Sequence, residues 1–201
     1  MTTLSGASPS DADAAVACLV AAFARDPITT FLLGGGHGYR QRLAEFFSLL
    51  FRARLALGMP VLVAREGARI QGAAMGYSTA PHAWPAELDA AWGRFERATP
   101  GLPERMATYE AIAAGGQPGD PHYYLGVIGV DPALHGRGIG AQLLAAFCAL
   151  SAADPSSHGV YLETGEPSNV GFYQRAGFVE TARGRMGEAT LWCMYLPHPP
   201  R

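Results

Sequence analysis

One junction constrains this chain more than any other segment: Val127-Ile128-Gly129-Val130-Asp131-Pro132-Ala133-Leu134-His135-Gly136-Arg137-Gly138-Ile139-Gly140, followed by Ala141-Gln142-Leu143-Leu144. An apolar run that reads as a strand enters a turn, glycines alternate, and an apolar helix opens. Glycine has no Cβ, so it accepts positive φ and lets a ligand come close to the main chain. The first N–H groups of a helix lack internal acceptors and lie at the positive end of its dipole. Such a junction is an anion site whose natural occupant is a phosphate or pyrophosphate. Glycine-rich turns also occur as plain loops, so the rest of the chain has to decide.

Composition narrows the class. The 201 residues suffice for one domain, or for one domain with a sizeable insertion, and for a core that needs no staple. A formal net charge of -2 argues against nucleic acid or an anionic membrane as the main partner. All 15 basic residues are Arg, so a lysine nucleophile, a Schiff base and self-acetylation on a lysine are excluded. Cys18, Cys148 and Cys193 show no metal or redox spacing and the histidines form no HExxH pair, so no metal site is expected. No charged segment precedes a short apolar run at the N-terminus, and no apolar run reaches membrane-spanning length; the expected location is the cytoplasm.

Periodicity and punctuation predict a short strand at 2–5 and a helix over Ala14–Ala24 that stops before Asp26-Pro27. A second helix over Tyr39–Leu57 carries Leu43, Phe46, Phe47, Leu50 and Phe51 at helical spacing. Val61–Arg65 and Arg69–Tyr77 read as a hairpin about Glu66-Gly67. Two helical stretches, 86–98 and 103–114, lie in a segment rich in Pro, Ala and Gly. Then come a strand (123–130), the glycine loop, a helix (139–153), a strand (159–164), a short helix (169–176), and strands near 177–182 and 190–196. This order points to α/β with a partly antiparallel sheet. Gly126 and Gly129 inside the strand mark a bulge or a close approach by a ligand.

Two readings of the glycine loop compete. Gly136-x-Gly138-x-x-Ala141 fits a dinucleotide fingerprint, and Glu163 lies 22 residues beyond Ala141, where a ribose-binding acid belongs. Against it, Asp131 to His135 intervene between strand and glycines, and only about sixty residues remain for a long alternating sheet.

The other reading is a resemblance. Val-Asp-Pro-x-x-His-Gly-Arg-Gly-Ile-Gly between strand and helix resembles the acetyl-CoA motif of the GNAT superfamily of acetyltransferases, Gln/Arg-x-x-Gly-x-Gly/Ala, with His135 in place of the usual first residue. Leu162-Glu163-Thr164 and Asn169 to Phe178 are similar to the family's second landmark, Phe-Tyr-x-x-x-Gly-Phe. Within the family the pattern is nearest to the puromycin N-acetyltransferase-like branch, through Ala21-Ala22-Phe23-Ala24-Arg25-Asp26-Pro27, the Leu-Glu-Thr strand end and Trp192-Cys193-Met194.

The resemblance implies a single domain over 1–201, with a mixed, mostly antiparallel sheet, two parallel strands splayed around the acyl-CoA and helices on both faces. It makes 80–121 a helical insert that shapes the acceptor site. It implies acetyl-CoA as co-substrate, a small-molecule primary amine as acceptor, and direct transfer in a ternary complex; it leaves a homodimer open. Main-chain atoms of Ile128, Gly129 and Val130 would hold the pantetheine arm. His135, Gly136, Arg137, Gly138, Ile139, Gly140 and Ala141 would form the pyrophosphate loop, and Tyr173 would protonate the departing thiolate. Asn169 precedes Tyr173 by four residues rather than the family's seven, so a CoA contact and a helix N-cap both stay open for it. The strand before the loop has no carboxylate to act as base; Glu163, Asp26, His122 and Tyr124 are the candidates. Ile28, Phe31, Trp84, Trp92, Met106 and Tyr109 are acceptor-site candidates that equally suit a core. The few carboxylates there, offset by Arg94, Arg97 and Arg105, favour a compact apolar amine over a polycation. An acyl-CoA sensor without turnover and an O-acetyltransferase are the alternatives.

Overall fold

A computed structural model describes residues 1–199. The chain runs β1 (Thr3–Gly6), α1 (Ala12–Ala22), α2 (Pro27–Leu33), α3 (Tyr39–Ala56), β2 (Val61–Glu66), β3 (Arg69–Tyr77), α4 (Ala86–Ala98) and α5 (Leu102–Gly116). It continues with β4 (Tyr123–Val130), α6 (Ile139–Ala153), β5 (Gly159–Thr164), α7 (Pro167–Arg175), β6 (Val179–Met186) and β7 (Ala189–Pro197). The described strands form one sheet in the order β1-β2-β3-β4-β5-β7-β6. β4 and β5 pair in parallel and the other neighbours are antiparallel. The architecture is the expected mixed, mostly antiparallel α/β sheet with helices on both faces.

Strand alternation divides the core into two layers. Val61 and Val63 of β2 and Ala73 and Met75 of β3 pack with Leu19 of α1, Leu43, Phe47 and Phe51 of α3, and Phe95 of α4. Ala64 and Ala74, one residue out of phase, face Leu143, Leu144 and Phe147 of α6 on the opposite side.

β4 breaks this alternation. Tyr123 and Leu125 belong to the α6 layer, yet Val127, with the same parity, belongs to the α1–α3 layer. The cause is a bulge: Met75 pairs with Val127 and Tyr77 with Tyr124, so one residue of β3 faces two of β4. An extra residue reverses which face each later side chain takes. The glycine signal at 126 marks this bulge. Gly129 answers to a different need, since a Cβ there would lie 2.9 Å from both Leu19 and Phe23; its absence lets α1 pack down on the strand.

The helix α2 has no counterpart in the sequence reading, which took Asp26-Pro27 only as a stop. The same dipeptide starts a new helix: Asp26 Oδ1 accepts the Thr29 N–H at 2.8 Å and Pro27 presets the first helical φ. The first helix begins two residues earlier than expected. Its start is fixed by the Ser8 N–H donating to Asp11 Oδ2 at 2.8 Å and by the Arg65–Asp11 ion pair at 3.0 Å.

The contact at Gly129 gives a stability prediction. Gly129→Val should overpack the α1–β4 interface and lower unfolding free energy by about 1–3 kcal/mol. Gly6→Val, on the sheet edge where a Cβ would meet nothing within 4 Å, should stay within about 0.5 kcal/mol of the parent. Urea midpoints of the two variants check this.

Candidate active site

The site starts where two neighbouring strands part. β4 and β5 share only the pairs Tyr123↔Val160 and Tyr124↔Tyr161; beyond these no pairing joins them. The polar main-chain groups of β4 that point away from β3 are thereby left without a strand to bond. At the far end of β4 the chain turns at Asp131, whose Oδ1 accepts the Ala133 N–H at 3.0 Å, and enters the glycine loop. Gly136 and Gly138 take φ of +79° and +76°, values an L side chain rarely adopts, and Gly138 is the N-cap of α6. No group among the described residues accepts a hydrogen bond from the N–H groups of residues 136–141. A run of unpaired donors thus stands at the positive end of a 15-residue helix.

A cavity of about 740 Å³ follows this free edge. Ile128, Gly129 and Val130 line it, as do His135, Gly136, Gly138, Ile139, Gly140 and Ala141 of the loop. Arg137 does not line it; its exposed side chain lies on the side of Glu66. The His135 ring turns back to the Val130 carbonyl, with Nε2 at 3.2 Å, and tethers the loop to the strand end. Asn169 lines the cavity too, and it is not the N-cap of α7: Glu166 caps that helix by accepting the Ser168 N–H. The dinucleotide reading fails here. Only one parallel pair is present among the described strands, and Glu163 lies with Tyr109 rather than beside the glycine loop.

A second cavity, about 880 Å³, lies under α3, α4 and α5. The two cavities share Phe23, Asp26, Ile128, Asn169 and Tyr173 as boundary residues. Ile28, Trp84, Trp92, Met106 and Tyr109 line the second one and also pack against the core, so the pocket and core readings of these residues coincide. Phe31 does not line it and packs towards Gly187 in the β6–β7 turn. The expected charge balance is reversed. Asp26, Asp89, Glu110 and Glu163 line the cavity, whereas Arg94, Arg97 and Arg105 do not; Arg105 is spent on the carbonyls of Leu32 and Pro100, each at 2.8 Å. Of the candidate bases, Asp26, Glu163 and Tyr124 line this cavity. His122 lies elsewhere, with its ring bonded to the Asp120 carbonyl and to Gln117.

Sequence reading missed Arg54. It is 3 % exposed and lines the second cavity from α3. Its Nη1 reaches the Leu50 carbonyl at 3.3 Å, its guanidinium carbon stands 4.6 Å from the Tyr77 ring centre, and Nε is buried with no partner among the described residues. The signal was available: position 54 continues the apolar stripe of Leu43, Phe47 and Leu50, where a charged residue is out of place.

Electrostatics single out two acids. Glu163 Oε2 accepts the Tyr109 hydroxyl at 2.9 Å, and Tyr109 in turn meets Tyr124 at 3.0 Å. Burial raises the Glu163 carboxyl above its ordinary range despite these bonds, and burial likewise raises Asp26. Burial, then the charge of Asp26, raises the Tyr173 hydroxyl, so it holds its proton throughout the neutral range. Raised carboxyl values favour the folded protein at low pH, and that advantage fades as pH climbs past the ordinary value of 4.5. Glu163→Gln, which keeps an oxygen for Tyr109, should therefore gain stability relative to the parent as pH rises from about 4 to 7. Urea midpoints across that range test it; a gap that is flat or shrinks contradicts the assigned shift.

Comparison with known proteins places this geometry. Residues 106–180 match the sequence model of the acetyltransferase (GNAT) domain. Over nearly its whole length the chain superimposes on a crystal structure described as histone acetyltransferase HPA2 and related acetyltransferase from Corynebacterium glutamicum, with TM-score 0.75 and 24% identity, covering 99% of this chain and 98% of that one. A GNAT family acetyltransferase from Brucella melitensis in complex with acetyl-CoA gives TM-score 0.55 at 19% identity, covering 100% of this chain and 90% of the other. A putative acetyltransferase from Salmonella typhimurium with its cofactor acetyl-CoA gives 0.59 at 19%, covering 100% and 96%. The segment that matches the acetyltransferase (GNAT) domain model holds the parted strands, the glycine loop and α7.

Proposed function

We propose that this chain is an acetyl-CoA-dependent N-acetyltransferase that acetylates the primary amine of a small molecule, antibiotic-like amines being within that class, by direct transfer in a ternary complex. The observation that carries the proposal is the meeting of two cavities at Asp26, Ile128 and Tyr173. One runs along unpaired main-chain donors and suits a long polar arm ending in a pyrophosphate. The other has aromatic walls and carboxylates, and suits an amine. A CoA sensor would need the first alone.

In this reading the N–H groups of residues 136–141 hold the pyrophosphate, and the free edge of β4 at Ile128, Gly129 and Val130 holds the pantetheine arm, with the Asn169 side chain facing it. The small helical insert at 80–121 supplies the acceptor walls. The acceptor's ammonium enters among the acids and loses a proton to Asp26, the one acid lining both cavities, whose raised proton affinity suits it as a base. The amine nitrogen attacks the thioester carbonyl carbon, and main-chain N–H groups of β4 stabilise the oxyanion. As the tetrahedral species collapses, the C–S bond breaks, the sulfur takes the Tyr173 proton, the surplus proton on the nitrogen passes to the Tyr173 oxygen, and Asp26 gives its proton to solvent. Products are the acetamide and free CoA. A tyrosine hydroxyl, ordinarily near pKa ~10, is protonated at neutral pH and can serve a thiolate of ~8.5.

Release of free thiol across a panel of aminonucleosides, arylalkylamines, amino acids, aminoglycosides and histone-tail peptides tests the reading; no release with any of them would contradict it. Two variants probe its parts. Gly138→Asp would cap α6 with its own carboxylate, at a φ that Asp tolerates better than most, and fill the anion position. Calorimetry should show CoA binding lost while circular dichroism is unchanged. Tyr173→Phe keeps the ring and removes the proton, so kcat should fall by at least tenfold, within the ~10²–10⁴ typical of general acid catalysis, with little change in acetyl-CoA affinity. Parent-like turnover would take the role away from Tyr173.

A further inference from the structure

Arg54 has no work to do inside the protein that matches its situation. Five guanidinium N–H donors meet one carbonyl, that of Leu50, which already serves the α3 helix. Nε is buried without a partner, and Nη2 makes no hydrogen bond among the described residues. None of the ion pairs among those residues involves Arg54, although four carboxylates line the same cavity. Its titratable neighbours are the tyrosines Tyr77, Tyr124 and Tyr109 instead. A buried guanidinium without an anion is costly, and such residues are kept paired. Gly126 keeps the approach to it open: a Cβ on that residue would stand 2.9 Å from Nη2.

The geometry points to an acceptor that carries a carboxylate as well as its primary amine, an amino-acid-class substrate whose anionic group pairs with Arg54 while its ammonium lies among Asp26 and Glu163. This rests on the acetyl-transfer reading and names the substrate class for that same site. The cavity offers both charges: one cation, Arg54, on the α3 wall, Glu163 on β5 and Asp26 at the boundary with the first cavity, with Asp89 of α4 and Glu110 of α5 on the remaining walls. Arg54 stands at the level of Gly126 and the transfer point lies at Ile128, two residues on, so the two ends are separated by roughly 7 Å of strand rise. After the reach of a guanidinium–carboxylate pair is subtracted, a compact amino acid spans the rest, its body against Tyr77, Trp84 and Tyr109. A planar guanidinium stacked on Tyr77 presents the fork that a carboxylate fits in bidentate fashion. A plain arylalkylamine would leave it unpaired, and a polycation would be repelled by it.

Calorimetry on the CoA-loaded protein with two matched pairs of probes tests this: phenylalanine against phenethylamine, and para-(aminomethyl)benzoate against benzylamine. Members of each pair differ only in the carboxylate, at two spacings from the amine. In at least one pair the carboxylate member should bind about tenfold tighter or more, as expected of a desolvated charge-assisted pair. Arg54→Met should bring that preference to near unity and Arg54→Lys should restore part of it, circular dichroism showing that each variant is folded. If neither carboxylate outbinds its partner on the parent protein, or if Arg54→Met keeps the preference, the inference is overturned. Thiol release with the same probes is read separately. A carboxylate preference without release would support Arg54's role in recognition and sink acetyl transfer; release with an indifferent carboxylate would do the reverse.

Discussion

Parallel pairing between β4 and β5 stops after Tyr124↔Tyr161, and the main-chain groups this exposes have to be satisfied from outside the sheet. The cost of leaving them unmet is met by what enters the gap, which is why a groove rather than a packed seam runs between two central strands. The glycine loop continues the same logic round the corner, since residues 136–141 add a row of donors that no group among the described residues takes up. Free main-chain groups on β4 and a second set at residues 136–141 thus flank a turn whose own N–H groups, at 131 and 133–135, are paired. The two sets are complementary to a long molecule with amide groups at one end and phosphates at the other.

The bulge at Leu125 and Gly126 turns that groove into a place where two molecules can meet. By reversing side-chain parity it leaves Leu125 with α6 and hands Val127 to the α1–α3 layer, opening room on the α3 side beside Arg54 and Tyr124. Farther along, Gly129 lets α1 settle on the strand, which carries Phe23 and, through the α1–α2 turn, Asp26 to the boundary between the cavities. From the opposite face α7 brings Tyr173, 5 % exposed and packed on Phe178, to the same point. The reacting end is thus built by three elements that converge where the strands part.

Much of this could be read in the sequence because local rules and tertiary needs agree there. The limits of β4, β5 and α6 follow from apolar runs bounded by Pro, Gly and Asp, and the loop from its alternating glycines. Where a residue serves two neighbours the reading was partial. Asp26 ends one helix and caps the next, so α2 was missed, and Gly129 makes room for α1 as well as for the groove. Charge was the weakest part. Arginines 94, 97 and 105 lie close in sequence to the acceptor walls but turn away from them, while Arg54, from a helix read only as core, points into the cavity. Periodicity tells which face of a helix is buried; it does not tell that a cavity interrupts the core on that face.

The site as a whole is a set of polar groups held short of protein partners: donors along β4 and the exposed loop, a buried guanidinium without an anion, and two carboxyls that burial keeps reluctant to ionise. Such groups are stabilised by ligands in proportion to how well the ligands replace water. The central claim is that the acyl donor lies along the free edge of β4 and against the start of α6. Amide NMR of labelled protein titrated with acetyl-CoA tests it most directly. The account predicts that the largest shifts fall on the amides of 128–130 and 136–141, with β1 and β2 unmoved; saturable binding that leaves those amides in place would contradict it.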